Sequence, residues 1–248
     1  GLIFAREGYP LNSYFGYQFD GIIKTEEQLN QYKQMGNIPF NLDLGDVMYK
    51  DVDGDGKITA FGDPAKGTQG DLVYLGSQLP RYSFSSNINL SYKRFDLTLF
   101  LQGVGKRKGI RTGEFAYPFT AVWMQPLEYF YGKNWSEDNP NAEYPRIIPG
   151  FVGFDELRTW NWRVSSMQMN NLAYLSIKQL SLAYNLPHSY CSSLKAENIR
   201  IYLSTQDLYV FAKDTWNRSF SPEEVWERTD EQTYPFSRVI SLGLDIKF

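Results

Sequence analysis

The residues of this chain best placed to do chemistry are the aspartates of D-V-D-G-D-G-K-I-T, Asp51 to Thr59. Asp51, Asp53 and Asp55 stand at positions one, three and five of an EF-hand-like loop. Gly56 takes the sharp turn at six, the Lys57 carbonyl position seven and Thr59 position nine. That spacing wraps hard oxygen ligands around one point, as Ca²⁺ requires. Position twelve, where a bidentate glutamate closes the shell, is Gly62, and Asp63 follows one residue late. The loop is expected to hold Ca²⁺ through Asp51, Asp53, Asp55, Lys57, Thr59 and Asp63 and to brace structure. The competing reading is a metal-free Asp/Gly turn.

Other reactive groups do not assemble into a catalyst. His188 is the one histidine, so any Ser/His/Asp triad would need it, and it follows Pro187 in a turn. Cys191 is the one cysteine, which excludes an internal disulfide or a CxxC site. Glu26-Glu27 and Glu223-Glu224 are adjacent surface pairs without the apolar pocket that would raise one carboxyl for acid catalysis. The chain is read as a non-enzyme. A net charge of −3 supplies no basic footprint for nucleic acid.

Binding chemistry is better represented. The chain carries 18 Tyr, 17 Phe and 6 Trp, an excess that suits carbohydrate-facing surfaces or membrane-interface girdles. Trp123, Trp135, Trp160, Trp162, Trp216 and Trp226 fall in loops, where they are expected to pack the loops and a partner, or to stack on a ligand. Lys106, Arg107, Lys108 and Arg111 form a basic cluster that reads as a solvated loop or as a contact for lipopolysaccharide phosphates.

These loops are carried by strands. The sequence Val239 to Phe248 places Ile240, Leu242, Leu244, Ile246 and Phe248 on one face and Ser241, Gly243, Asp245 and Lys247 on the other. The same alternation predicts strands at 13–23, 83–93, 95–104, 172–184 and 198–210, with a bulge near Lys178-Gln179, where the apolar parity switches. Thr25 with Gln28 forms a capping box that opens a short helix. Long loops, 24–82, 105–171 and 211–238, then fall at one end of the strands, with the Lys93-Arg94 turn and the 185–197 connection at the other. Outer-membrane barrels sort their loops in this way. Mean hydropathy is −0.43 and no run approaches the roughly 18 apolar residues of a spanning helix, which leaves a spanning barrel untouched. Six strands cannot close a barrel, whose minimum is about eight. The chain begins at Gly1 without an initiator methionine or export signal, so it is expected to be processed, or to be part of something longer.

The stretches G-D-V-M-Y-K-D-V-D-G-D-G-K-I-T (45–59), L-G-S-Q-L-P-R-Y-S-F-S-S-N-I-N-L-S-Y-K-R-F-D-L-T-L-F-L-Q-G (75–103), L-S-I-K-Q-L-S-L-A-Y-N-L-P (175–187), I-R-I-Y-L-S-T-Q-D-L-Y-V-F (199–211) and the closing S-L-G-L-D-I-K-F together resemble the carboxy-terminal quarter of a SusC/RagA-type TonB-dependent outer-membrane transporter. The resemblance implies an all-β chain, the last six or so antiparallel staves of a barrel of about 22 strands. It also implies a plug domain and a TonB-contacting segment absent from this chain, a SusD-like surface lipoprotein as partner, and import of oligosaccharides or peptides across the outer membrane of a Gram-negative bacterium. Nothing in the residues separates glycan from peptide.

The alternative is a soluble, calcium-braced β-sandwich that binds carbohydrate. The two readings differ in where Leu97, Leu99, Leu101, Leu242, Leu244 and Ile246 point, toward lipid or toward a second sheet. In a barrel, Asn87, Asn89, Ser91, Thr98, Gln102, Arg200, Ser241, Asp245 and Lys247 line a wet lumen, and Tyr92, Tyr184 and Phe248 join the interface girdle.

Overall fold

A computed structural model describes residues 2–3, 5–111, 116, 118, 127–148, 155–213, 221–223 and 237–248. In chain order these form β1 (Leu2–Ile3), β2 (Ser13–Tyr17), β3 (Phe19–Ile22), α1 (Glu26–Tyr32), β4 (Val47–Tyr49), β5 (Leu72–Ser77), β6 (Tyr82–Tyr92), β7 (Phe95–Gly105), β8 (Lys108–Ile110), α2 (Asp155–Asn161), β9 (Met169–Asn171), β10 (Tyr174–Asn185), α3 (His188–Ser193), β11 (Asn198–Ala212) and β12 (Val239–Lys247). The chain divides into two compact units, one drawn from residues 1–79 and 108–170, the other from 80–107, 171–225 and 233–248.

The second unit is a five-stranded antiparallel sheet in the order β12-β11-β10-β7-β6. Its register turns the alternation of each strand into rows across the sheet. Leu90, Leu97, Leu182, Leu203 and Leu242 lie side by side, and one row further along come Ile88, Leu99, Leu180, Thr205 and Ile240. On the opposite face Asn89, Thr98, Ser181, Ser204 and Ser241 form an unbroken hydroxyl and amide row. Thr98 Oγ1 donates to Asn89 Oδ1 at 3.0 Å and Ser91 Oγ to Asp96 Oδ1 at 2.7 Å, so polar side chains satisfy one another across strands.

The apolar face is uncovered. Leu242 is 77% exposed and Leu90 59%, and among the described residues no second sheet packs over them. A sandwich would have buried these leucines. Aromatic rows bound the face at both ends: Tyr92, Phe95 and Tyr184 near the short turns, Phe84 and Phe211 toward the long loops. From Phe84 to Tyr92 the strand advances about 26 Å at ~3.3 Å per residue, or about 20 Å along the membrane normal at a tilt near 40°, which matches an apolar band between interface girdles.

The parity switch in β10 resolves as expected. Register shifts between Ile177 and Gln179 against both β7 and β11, so Leu175 and Ile177 share a face with Leu180, Leu182 and Tyr184. Lys178, the extra residue, binds Asp207 Oδ1 at 2.6 Å and Glu223 Oε2 at 2.5 Å. Asp207 itself sits at φ 47°, a second irregularity opposite the first. The connection between β10 and β11 is a short helix whose Cys191 packs with Leu186, Ala196 and Ile199.

One expected stave is absent from this sheet. The 13–23 strand breaks at Gln18 into β2, which pairs with β1 and β5, and β3, which pairs with β4. The reason lies in β2, where Ser13, Tyr14, Phe15 and Tyr17 are all buried. A strand covered on both faces belongs in a protein interior, and Tyr17 N–H accordingly donates to the Val164 carbonyl at 2.9 Å. Among the described residues the sheet thus has five strands where six were expected, and long connections join β7 to β10 and β11 to β12.

The first unit carries a core of its own, including Tyr17, Ile23, Leu29, Tyr32, Leu42, Val47, Tyr49, Ile58, Leu72, Leu157 and Trp160. Thr25 caps α1 as expected, accepting from Gln28 N–H at 3.2 Å. Tyr49 OH donates to the Trp160 carbonyl at 2.7 Å, Trp160 Nε1 donates to Val47 O at 2.9 Å, and Tyr32 OH donates to Tyr49 O at 3.0 Å. Burial pushes the Tyr32 and Tyr49 phenols well above their ordinary range, so both stay neutral donors at any physiological pH.

Candidate functional site

Two surfaces carry the functional residues, the aspartate loop of the first unit and the two-faced sheet of the second. In the loop, Asp51 accepts from Gly54 N–H at 2.7 Å and Gly56 N–H at 2.8 Å, and Asp55 accepts from Lys57 N–H at 2.9 Å. Gly54 and Gly56 take φ 74° and 77°, which the tight winding requires.

The carboxylates that converge are not those the spacing selects. One oxygen each of Asp51, Asp53 and Asp71 lie within 4.8 Å of one another. Asp55 is exposed and stays outside that group. Asp63 instead caps a 3₁₀ turn through Ala65 N–H and pairs with Lys66 at 3.4 Å. Lys57 bridges Gly36 and is exposed, and the Thr59 hydroxyl is buried without a hydrogen-bond partner. Asp71 enters from β5's approach: its carboxylate receives Val52 N–H and Thr59 N–H, both at 2.7 Å.

The donor set fits a cation. Burial pushes the Asp71 carboxyl up, the two backbone amides pull it back, and the charges of Asp53 and Asp51 push it further up. Three carboxylates held this close, one fully buried, leave negative charge that a divalent cation offsets.

A second polar hub holds the loop unit together. Asp46, fully buried, accepts from Arg146 Nε at 2.7 Å and Nη2 at 2.9 Å, from Asn161 Nδ2 at 2.8 Å and from Asp43 N–H at 2.8 Å. Burial alone would lower the Arg146 pKa, but the bond to Asp46 and its charge hold it above the ordinary value. Gly45, at φ 85°, lies against the Trp135 ring, where a Cβ would come within 2.3 Å of Cε3.

The tryptophans divide accordingly. Trp160 is fully buried in the core of the first unit, so of the two expected roles it takes packing and cannot meet a ligand. Trp135 is half-buried over Gly45, and Trp162 stacks on Tyr144 at 6.1 Å and meets Phe130 edge-on. Trp123, Trp216 and Trp226 lie outside the described residues.

The basic cluster is also corrected. Arg107 is buried, with Nη1 donating to Pro222 O at 2.9 Å. Arg111 is buried too, donating to Tyr144 OH at 2.7 Å, Tyr129 OH at 3.0 Å and Met167 O at 2.7 Å. Lys108 is half-buried, its stem lying on Gly76. Only Lys106 is exposed, so the cluster presents no Arg fork to an outside phosphate. Arg111 spends its donors on two phenol oxygens and a backbone carbonyl, which suits a guanidinium turned inward.

A sheet with one polar face, one exposed leucine face and aromatic rows at both ends defines a segment of transmembrane β-barrel wall. No family model matches the chain. It is 27% identical over 259 residues to TonB-dependent receptor P3 of Formosa agariphila, covering 98% of this chain and 23% of that protein. It is 24% identical over 262 residues to TonB-dependent receptor P26 of the same organism, covering 99% and 23%. A solved structure of the RagAB peptide transporter superposes with a TM-score of 0.65 at 19% identity, and the RagAB peptide importer in its closed-closed state with 0.62 at 20%; each covers 97% of this chain and 23% of the other. The chain is thus similar over nearly its whole length to TonB-dependent receptors, and it shares its fold with a part of the RagAB transporter. It spans 23% of the length of the relatives it matches.

Proposed function

We propose that this chain supplies wall and outer loops to an active importer of oligosaccharides or peptides in the outer membrane of a Gram-negative bacterium. The observation that carries this reading is the paired rows of the sheet, leucines on one face and Asn, Thr and Ser on the other. The receptors named among its relatives support it. In the whole protein the remaining staves and a plug domain complete the barrel, TonB supplies the energy, and a SusD-like lipoprotein covers the loops. The soluble sandwich is disfavoured by the uncovered leucine face. Cell fractionation with mass spectrometry tests the setting: these peptides should appear in the outer membrane, on a polypeptide several times this length, and loss of the gene should abolish uptake of one labelled nutrient. Recovery as a free soluble chain would overturn the reading.

The aspartate loop, in this reading, binds Ca²⁺ through Asp51, Asp53 and Asp71, with the Thr59 hydroxyl beside them, and braces the outer loops. Without a bidentate twelfth-position ligand its affinity belongs with extracellular modules, about 10⁻⁴–10⁻³ M. Adding millimolar Ca²⁺ to the chelated native receptor should slow amide exchange at Gly54, Gly56 and Gly70. Asp71→Asn should remove that response, and exchange indifferent to Ca²⁺ in the unsubstituted receptor would rule the site out.

A further inference from the structure

On the polar face of the sheet, opposite Leu175 and Ile177, Tyr174 and Ser176 are 7% and 0% exposed. Ser181 and Ser204, further along that face, are only half-buried. Ser221–Glu223, from the connection between β11 and β12, lies against the covered place. Pro222 is buried, its carbonyl accepts from Arg107 Nη1 at 2.9 Å, and the Glu223 carboxylate meets Lys178 Nζ at 2.5 Å. The charges of Glu223, Lys178 and Arg107 all bear on the Tyr174 phenol, so these groups converge on one spot of the lumenal wall.

We propose that Glu223 and Lys178 form a latch that import opens: Ser221–Glu223 rests on the wall in the idle receptor and leaves it as cargo passes. The inference rests on the import reading above and adds a moving part to it, whatever the cargo.

Two irregularities of the strands build the latch. Lys178 is the extra residue of the β10 bulge, and bulges re-aim side chains. Asp207, at φ 47° on the neighbouring strand, sets a second carboxylate on the same ammonium at 2.6 Å. Lys178 therefore holds one carboxylate from the wall and one from the connection. In a simple buried pair, departure of the anion leaves the cation alone, which makes such pairs hard to break. Here Asp207 stays with Lys178 when Glu223 leaves. The docked arrangement also has a cost of its own, since Glu223 Oε1 and Ser176 Oγ are buried without a hydrogen-bond partner. Both regain water when Ser221–Glu223 lifts, because the lumen of a barrel is polar and wet. Two carboxylates competing for one ammonium, with unsatisfied atoms on the docked side, bring the docked and lifted arrangements close in free energy. A part that moves in every cycle needs that balance.

The test uses the native full-length receptor, first in micelles, with hydrogen exchange of the Ser221 and Glu223 amides as the readout. Glu223→Gln and Lys178→Met should each speed that exchange about tenfold, and the double variant no more than either. Asp207→Asn, which removes the competitor and suits a positive φ, should slow it. A fixed brace would loosen on losing any of the three, so faster exchange in Asp207→Asn, or unchanged exchange in Glu223→Gln, would overturn the latch. Living cells then test the motion. Lys178→Cys with Glu223→Cys, in a Cys191→Ser background and bridged by a short bismaleimide, should lose the nutrient uptake that the two single-cysteine variants, treated alike, retain. If gene deletion stops uptake but the bridge does not, import stands and the latch falls. If deletion changes no uptake, import itself falls.

Discussion

Asp46→Ala should loosen the first unit by about 3 kcal/mol, at the low end for breaking a buried ion pair. Asp46 is fully buried, while the Arg146 side chain keeps 27% exposure, so water recovers part of what the cation loses. Truncation strands four donors at once: the two of the Arg146 fork, Asn161 Nδ2 and the Asp43 amide. It also frees Asn161, whose carbonyl oxygen accepts from Val47 N–H at 2.9 Å, and Val47 in turn supplies the carbonyl that receives the Trp160 indole. The damage therefore runs from the hub into the aromatic core. Because local opening and barrel unfolding are separate events, the readout is hydrogen exchange in the assembled receptor. Val47 and Arg146 amides should exchange about a hundredfold faster, each factor of ten corresponding to ~1.4 kcal/mol. Asp46→Asn, which keeps the shape and surrenders the charge, should fall between the two. Unchanged protection at Val47 would show that the hub contributes geometry without stability.

Much of the sheet was legible because its signal is local. Period-two alternation needs only neighbouring residues, and the parity switch around Lys178 was enough to place a bulge that the register then shows. The candidate site was legible only in part, since half of it comes from distant chain. Asp51 and Asp53 follow from loop spacing, but Asp71 arrives 18 residues beyond Asp53, through a turn and the start of β5, and no local pattern announces it. Asp63 looked suitable by spacing alone and spends its oxygens on a helix cap. Arg107 and Arg111 illustrate the same limit: a basic run reads as a surface, yet both side chains are buried and reach carbonyls as far along the chain as Pro222 and Met167. Ser13 to Tyr17 alternates too weakly to show that both its faces are covered, because the residues that cover it lie far away in sequence.

Leu99→Arg should cost about 2–4 kcal/mol of barrel stability, the depth-dependent cost of a cation facing the middle of the lipid. Leu99 lies in the row of Ile88, Leu180, Thr205 and Ile240, midway between the aromatic rows at Phe84 and Tyr92, where a long side chain has furthest to snorkel. Its neighbour Thr98 points to the other face, beside Asn89 and Ser181, so Thr98→Arg should place the same charge in a wet lumen at small cost. The comparison isolates the face, since strand, depth and new side chain are shared. Urea titration of the whole receptor in micelles, read by the gel-mobility difference between folded and unfolded barrel, measures both. A packed sandwich core would also reject Leu99→Arg, so a third variant decides: Leu99→Phe should be nearly neutral in fluid lipid, whereas overpacking a closed interior costs about 1–3 kcal/mol. Loss of stability in Leu99→Phe, or equal losses in Leu99→Arg and Thr98→Arg, would show that the leucine face is not the lipid face.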